Sequence, residues 1–351
     1  MQKLSKETKR GTLCAKCSST PNKHMRVLLL GASGTIGLAT ARALMQQGHQ
    51  LVCFLRKPLG STARADKSGF LTELQGAELR YGDPCSLESL KQDAFCNEPF
   101  DAVVSCLASR TGTPQDAWAV DYQAHLFALE AAKAVGVRQF VLLSAICVQK
   151  PLLAFQKAKL AFESALIESG VTYSIVRPTA FFKSLAGQLA RVQKGKPFLI
   201  FGDGKLTACK PISDDDLGDF IAGCLTDPNK HNQILPIGGP GPAITPRDQG
   251  EFLFRQLGKP VQFKSVPVGL LNFIIGVLDV IGKVSSKAAD KAELARIGRY
   301  YATESMLVWN ADLNRYDAAA TPSHGQQTLF DAYALWLRGE AAPDRREHAV
   351  F

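Results

Sequence analysis

No uncharged apolar run in this 351-residue chain is long enough to span a bilayer. The most membrane-like stretch, residues 266–284, is interrupted by Asn272 and Asp279. It reads instead as an amphipathic helix that packs within the fold, covers a greasy ligand or leans on a membrane surface. A secretory signal is also missing, because residues 1–24 are basic but contain no apolar central segment. Zinc-finger spacing and arginine-rich helices are absent, which argues against nucleic acid as a partner. The net charge of +9 does not restore that possibility: residues 1–24 hold six Lys/Arg against one Glu and supply five of the nine. Cys14 and Cys17 form a CxxC with no second pair beside it, so no metal is expected. An odd total of nine cysteines points to reduced thiols rather than a disulfide framework. There are no internal repeats, and no low-complexity tract beyond the basic leader.

What is present is an ordinary globular composition, 46% hydrophobic and 21% charged. The most informative stretch is Val27-Leu28-Leu29-Leu30-Gly31-Ala32-Ser33-Gly34-Thr35-Ile36-Gly37. A short apolar strand runs into three glycines at GxxGxxG spacing, and a helical pattern follows from Leu38 to Gln47. That order is the context in which a glycine fingerprint signals dinucleotide binding. Gly31 permits the tight turn, Gly34 lets backbone approach a pyrophosphate, and Gly37 allows close packing of helix on strand. The amides of the first turn, around Ser33, Thr35 and Ile36, face the phosphates together with the helix dipole.

Further apolar strands are expected near Leu51–Leu55, Glu78–Tyr81, Ala102–Cys106, Phe140–Ser144 and Tyr173–Val176. Helices fall between them, among them Pro114–Val135 and Leu153–Glu168. Continuous apolar strands alternating with helices imply an α/β fold with a doubly wound parallel sheet of Rossmann type. Beyond Arg177 glycine and proline punctuate the chain, with helices near Asp214–Leu225 and Pro246–Leu257 and a terminal helix over Ser323–Leu337. The expected organisation is a disordered leader at 1–24, a cofactor domain at 25–180, a smaller substrate-binding cap at 181–340 interleaved with returns to the main sheet, and a tail at 341–351. Met25 directly precedes the first strand, so an upstream start is a further account of the leader.

The second strand ends in Arg56-Lys57, where a site for NADH would offer an acidic group to the ribose 2′-hydroxyl. A basic pair favours a 2′-phosphate, hence NADPH. Asp83 after the third strand fits an adenine-edge contact, and Cys106-Leu107-Ala108 after the fourth should line the ribose. Arg177-Pro178-Thr179 ends the sixth strand where a nicotinamide ring would lie. Phe181 and Phe182 offer flat apolar walls or core packing.

These features, with Ser144 and Phe155–Lys159, resemble the atypical short-chain dehydrogenases. Within that group the chain resembles the NADPH-dependent 8-vinyl reductases of chlorophyll biosynthesis. More specific stretches carry the second resemblance: Phe201–Lys205, Cys209–Ser213, Leu235–Gly241 and Ile297–Leu307. The likeness runs from about Met25 to Leu337.

It implies reduction of the 8-vinyl group of divinyl chlorophyllide or protochlorophyllide to ethyl, with NADPH used directly. It also implies catalytic roles for Ser144 and for Lys159, which would hold the nicotinamide ribose. The short-chain dehydrogenases place a proton-donating tyrosine where this chain has Phe155. That departure becomes intelligible if the acceptor is a vinyl group conjugated to a tetrapyrrole, which itself takes up the charge. A proton is still needed, with Tyr300, Tyr301, Tyr122 and Ser144 as candidate donors. Arg299, Lys183, Lys205 and Lys210 could meet the substrate carboxylate, while Phe155, Phe181, Phe182 and the 266–284 helix would cover the macrocycle. The implied location is the cytoplasm of a photosynthetic bacterium, peripheral to its membranes, or a plastid if the leader is a targeting segment. Two other readings stay open: a reductase of the isoflavone or lignan type, and a non-catalytic dinucleotide-binding regulator or assembly factor.

Overall fold

The computed structural model describes residues 24–57 and 67–341; Cys14 and Cys17 lie outside them. Six strands follow one another from the start of the described chain: β1 (Arg26–Leu30), β2 (Gln50–Arg56), β3 (Glu78–Gly82), β4 (Ala102–Ser105), β5 (Gln139–Leu143) and β6 (Thr172–Pro178). After β7 (Phe198–Phe201), β8 (Gln233–Ile237) returns to the sheet. The seven-stranded order is β3-β2-β1-β4-β5-β6-β8, with every neighbouring pair parallel.

The continuous apolar strands are buried on both faces. Along β1, Val27 and Leu29 enter one core while Leu28 and Leu30 enter the other. Strand order reverses between β1 and β4, so the loops leaving these two strands open a crevice at their carboxyl ends. The glycine loop and Cys106–Ala108 are those two loops.

The first helix, Thr35–Gln46, packs against Asp214–Gly223. A methyl group on Gly218 would come within 2.7 Å of the Ala39 carbonyl carbon, so only glycine permits this approach. The region expected as the single helix Pro114–Val135 is helical throughout, but Trp118–Ala124 is wound more widely, in π geometry.

Residues beyond β6 build a third core around Phe198, Phe254, Tyr300 and Tyr333. It contains the parallel pair β7 and β9 (Phe263–Val266), and Phe252 stacked on Phe330 at 4.4 Å. A hairpin of β10 (Val308–Asn310) and β11 (Arg315–Asp317) lies at its edge.

The terminal helix begins at Leu329, later than the expected Ser323. Thr328 caps it by accepting from the Asp331 amide, and the preceding segment is held straight elsewhere. Ser323 bridges to Gly238, and the amides of Gln326 and Gln327 donate to Asp216. The apolar segment 266–284 contains the helix Val268–Gly282, which packs on Ser286–Thr303. Among the described residues no helix is long and apolar enough to cross a membrane.

Candidate active site

The glycine loop is shaped by three different constraints. Gly31 has φ +83°, and a Cβ there would lie 2.7 Å from the Cys106 carbonyl, so the turn is wedged against the exit of β4. A Cβ on Gly37 would stand 2.1 Å from the Gly31 oxygen, which ties the helix to the turn. Gly34 is different: its Cβ would meet only the Gly31 oxygen, at 3.5 Å, and the residue borders open space. Ser33 to Gly37 therefore present backbone to a cavity of about 700 Å³, at the start of a helix with no acidic side chain in its first turn. This cradle fits the diphosphate of a dinucleotide. Lys183 adds a cation by donating to the Thr35 hydroxyl.

The cavity is bounded on the sheet side by Cys106 to Gly112, Ser144, Phe155 and Lys159, and then by Pro178 and Thr179. On the cap side it is bounded by residues including Phe181, Leu185, Arg191, Leu199, Leu206, Tyr301 and Glu304. It is predominantly apolar with a few charged groups, the usual make-up of a small-molecule site.

Lys159 projects from the helix Ala154–Glu168, where Phe155, Lys159 and Glu163 recur at four-residue spacing on one face. The Lys159 ammonium donates to Asp121 at 2.9 Å, and the Asp121 side chain is fully buried. Asp121 is held in turn by Ser109, whose hydroxyl donates at 2.5 Å and whose amide donates at 3.2 Å. The widened helical turn Trp118–Ala124 carries this aspartate. His125, one turn on, bonds the Ser105 hydroxyl and the Val120 carbonyl, each at 2.9 Å. Burial, reinforced by the nearby Lys159 charge, pushes its imidazole down to about 4.

Ser144 lines the cavity, yet its hydroxyl donates to Glu163. Arg177 closes on the same carboxylate with Nε at 3.2 Å and a second bond from Nη2. Its guanidinium therefore sits in a buried ion pair and does not border the cavity.

The remaining residues singled out in the sequence divide plainly. Tyr301 lines the cavity with its hydroxyl 4.0 Å from the Cys147 sulfur, whereas Tyr300 spends its hydroxyl on the Cys147 carbonyl at 2.9 Å. Burial raises both phenols above their ordinary range. Tyr122 packs against Trp118, and Phe182 is buried in the cap core. Arg299 and Lys205 are exposed and do not line the cavity, and Lys210 donates to Thr321 and Ser323. Arg56 and Lys57 are exposed at the end of β2, beside Gly82-Asp83 across the sheet. The Asp83 carboxylate accepts from the Cys85 amide at 2.9 Å.

Sequence reasoning missed Asp121, Glu163, Arg191 and Glu304. One of them carried a signal: Glu163 lies one turn after Lys159, on the helical face already singled out by Phe155 and Lys159. Glu304, which accepts from Tyr316 and pairs with Lys150, is brought to the cavity by tertiary packing alone.

Comparison with known proteins agrees with this geometry. The sequence family described as NAD(P)H-binding matches residues 31–228, more than half of the chain. The chain is 48% identical over 336 residues to the chloroplastic divinyl chlorophyllide a 8-vinyl-reductase of Cucumis sativus, covering 94% of this chain and 80% of that protein. The Arabidopsis thaliana protein of the same name is 48% identical over 324 residues, covering 90% and 78%. Among solved structures, an NADPH-dependent quinone oxidoreductase of Escherichia coli complexed with NADPH superposes with TM-score 0.64 at 18% identity, over 89% of this chain and 99% of the other. That likeness is one of fold. With a glycine cradle, a paired lysine beneath a large apolar cavity and close identity over nearly its whole length, the chain belongs to the NAD(P)H-binding family of divinyl chlorophyllide a 8-vinyl-reductases.

Proposed function

We propose that this protein reduces the 8-vinyl group of divinyl chlorophyllide or divinyl protochlorophyllide to an ethyl group at the expense of NADPH. The observation that carries the reading is Phe155, which lines the cavity one helical turn before Lys159. Reduction of a carbonyl needs a proton donor where oxyanion charge develops, and a phenyl ring supplies none. A vinyl group conjugated to a macrocycle spreads the charge of hydride addition through its own π system, so its need is chiefly close placement.

When bound, the cofactor supplies the hydride. The chain does the rest. The amides of Ser33 to Gly37 and the Lys183 ammonium would meet the phosphates, and Arg56 with Lys57 would meet the 2′-phosphate. Cys106 to Ala108, Pro178 and Thr179, which line the cavity, would flank the ribose and ring. Lys159 is held by Asp121 with its other N–H groups left for ribose hydroxyls. Among the proposed proton donors, Tyr301 borders the cavity with no acceptor at ordinary O–H···O distance among the described residues, whereas the Ser144 proton is committed to Glu163. We assign the proton for the inner vinyl carbon to Tyr301, directly or through water.

The helix Val268–Gly282 supports a second element of the reading. It rests on Ser286–Thr303 by one stripe and exposes Leu270, Phe273, Val277 and Val280, with Val284 just beyond. Lys283 and Lys287 are exposed beside them. An apolar ridge with lysines at its end suits the surface of an anionic bilayer, and β9, which leads into it, ends at the cavity in Val266. The protein would then take a membrane-soluble pigment where it is made, in a plastid or at the photosynthetic membranes of a bacterium. Incubation with NADPH and divinyl chlorophyllide should shift the pigment's Soret band to the blue as NADPH is consumed. An unchanged spectrum, with NADPH bound and intact, would refute the activity. Flotation with anionic vesicles, lost in Phe273→Asp, tests the membrane contact.

A further inference from the structure

Four cations line the cavity: Arg110, Lys159, Lys183 and Arg191. Three of them stand at the cofactor end. Lys159 is paired with Asp121, Lys183 is bound to Thr35 of the glycine loop, and Arg110 lies in the loop that follows Cys106-Leu107-Ala108. Lys183 and Arg191 both come from beyond β6, but only Lys183 is bonded to the glycine loop; Arg191 stands on the short helix Leu189–Gln193.

Its setting is unusual for an arginine. Nε donates to the Pro197 carbonyl at 2.7 Å, which fixes the plane of the guanidinium. The loop behind it is braced by Gln188, which exchanges two hydrogen bonds with Leu199, at 2.8 and 2.6 Å. The cavity wall around it is apolar, with Leu185, Leu199 and Leu206. Among the described residues Arg191 is in no ion pair, although it is only partly exposed. A guanidinium held in a fixed orientation on an apolar wall, without a counterion, is matched to a planar anion arriving from solution. By contrast, the other cations considered for this role are elsewhere: Arg299 and Lys205 face solvent, and Lys210 is engaged with Thr321 and Ser323.

This inference rests on the activity proposed above, which supplies such an anion. Chlorophyllide carries a free propionate on the pyrrole ring diagonal to the one bearing the 8-vinyl group. With the vinyl group at the Lys159 end, the propionate points toward the cap. We propose that Arg191 binds the free carboxylate of the pigment and so selects the acid over its esterified form.

The test compares kcat/KM for divinyl chlorophyllide and its methyl ester in the wild type, Arg191→Met and Arg191→Lys. One charge-assisted hydrogen-bonded pair corresponds to roughly a ten- to hundredfold preference. The wild type should favour the acid by that factor through KM. R191M should bring the acid-to-ester ratio close to unity, and R191K should restore part of it. Thermal melting and NADPH titration establish that each variant is folded. A wild type indifferent to esterification, or an R191M variant that loses acid and ester turnover in equal proportion, overturns the assignment. If the wild type converts neither pigment, the proposed activity fails. The carboxylate site is then decided by equilibrium binding of the two pigments, where equal affinities in wild type and R191M overturn it.

Discussion

Two alanine substitutions, three residues apart in sequence, separate what the glycine loop does for folding from what it does for binding. Gly34 has φ −80° and ψ 160°, a conformation open to any L-residue, and its added Cβ meets nothing closer than the Gly31 oxygen at 3.5 Å. Alanine is a poorer N-cap than glycine, by about 0.5–1 kcal/mol. Restriction of the unfolded chain returns about 0.4–1 kcal/mol. Gly34→Ala should therefore leave the stability of the cofactor-free protein within about 1 kcal/mol of the wild type. The same methyl group projects into the cavity, where a diphosphate would approach the loop amides. Loss of one charge-assisted hydrogen bond, about 1.5–3 kcal/mol, weakens NADPH roughly ten- to hundredfold.

Gly37→Ala should behave in the opposite way. Its Cβ would stand 2.1 Å from the Gly31 oxygen and 2.8 Å from the Gly31 carbon, and that backbone is itself wedged against Cys106. A clash with immobile backbone belongs at or above the upper end of the overpacking range, about 3 kcal/mol. The helical preference of alanine, about 1 kcal/mol, does not offset it. Urea denaturation of the cofactor-free protein reads the first quantity and fluorescence titration with NADPH the second. A Gly34→Ala protein that binds NADPH as the wild type does, or a Gly37→Ala protein of unaltered stability, would refute this account of the loop.

Phe155→Tyr should bring no gain in vinyl reduction; a large rate increase would sink the electron-sink account. Tyr301→Phe should lower kcat on the order of 10²-fold with little change in NADPH affinity, as expected for loss of a general acid, and unaltered kcat would leave water as the source. Asp121→Asn strips the buried Lys159 of its counterion and should cost about 3 kcal/mol in urea denaturation. The Asp121→Asn/Lys159→Met double variant should recover part of that loss, and strict additivity would show that the two residues are not coupled. His125, neutral in the fold with its pKa at about 4, should make the protein less stable in acid. Below pH 6.5 the unfolded chain takes up the imidazole proton while the native state does not, so stability falls progressively between pH 6.5 and 4 by about 3 kcal/mol at most. A His125→Gln variant should show a shallower decline over that window, and an identical pH profile would assign the acid sensitivity elsewhere.

The parallel sheet was legible because its information is local. Apolar strands, glycine at a positive-φ turn and helices between them are each written in a few adjacent residues, and β1 to β6 follow from them. β8 was harder, since its sequence Gln-Ile-Leu-Pro-Ile is short, partly exposed and interrupted by proline, and it finds the sheet only through register with β6. The start of the terminal helix was misplaced for a related reason. Gly325, at φ +87°, and the Thr328 cap do mark the true start, and residues 323–327 are held out of the helix by Gly238 and Asp216, more than eighty residues away in sequence. In the site, residues contributed by strand exits could be read from the order of elements. Arg191 and Glu304 could not, because they reach the cavity from the cap, whose packing has no short-range sequence signature.

The helix Ala154–Glu168 shows how this site departs from carbonyl-reducing chemistry without disturbing the fold. Three of its positions recur every four residues, and each meets a different partner: Phe155 the cavity, Lys159 the buried Asp121, Glu163 the Ser144 hydroxyl and the Arg177 guanidinium. A tyrosine at 155 and an uncommitted serine at 144 would together supply a proton and steady an oxyanion. Here the first is a hydrocarbon ring, and the second gives its proton to a carboxylate that also holds an arginine. Both changes remove donors from the cavity wall while Lys159 stays paired with Asp121. An acceptor that gathers charge on one oxygen would find little stabilisation there. One that spreads its charge over a macrocycle would need none. What it requires is an apolar wall, and the helix keeps Phe155 on that wall beside the Lys159–Asp121 pair.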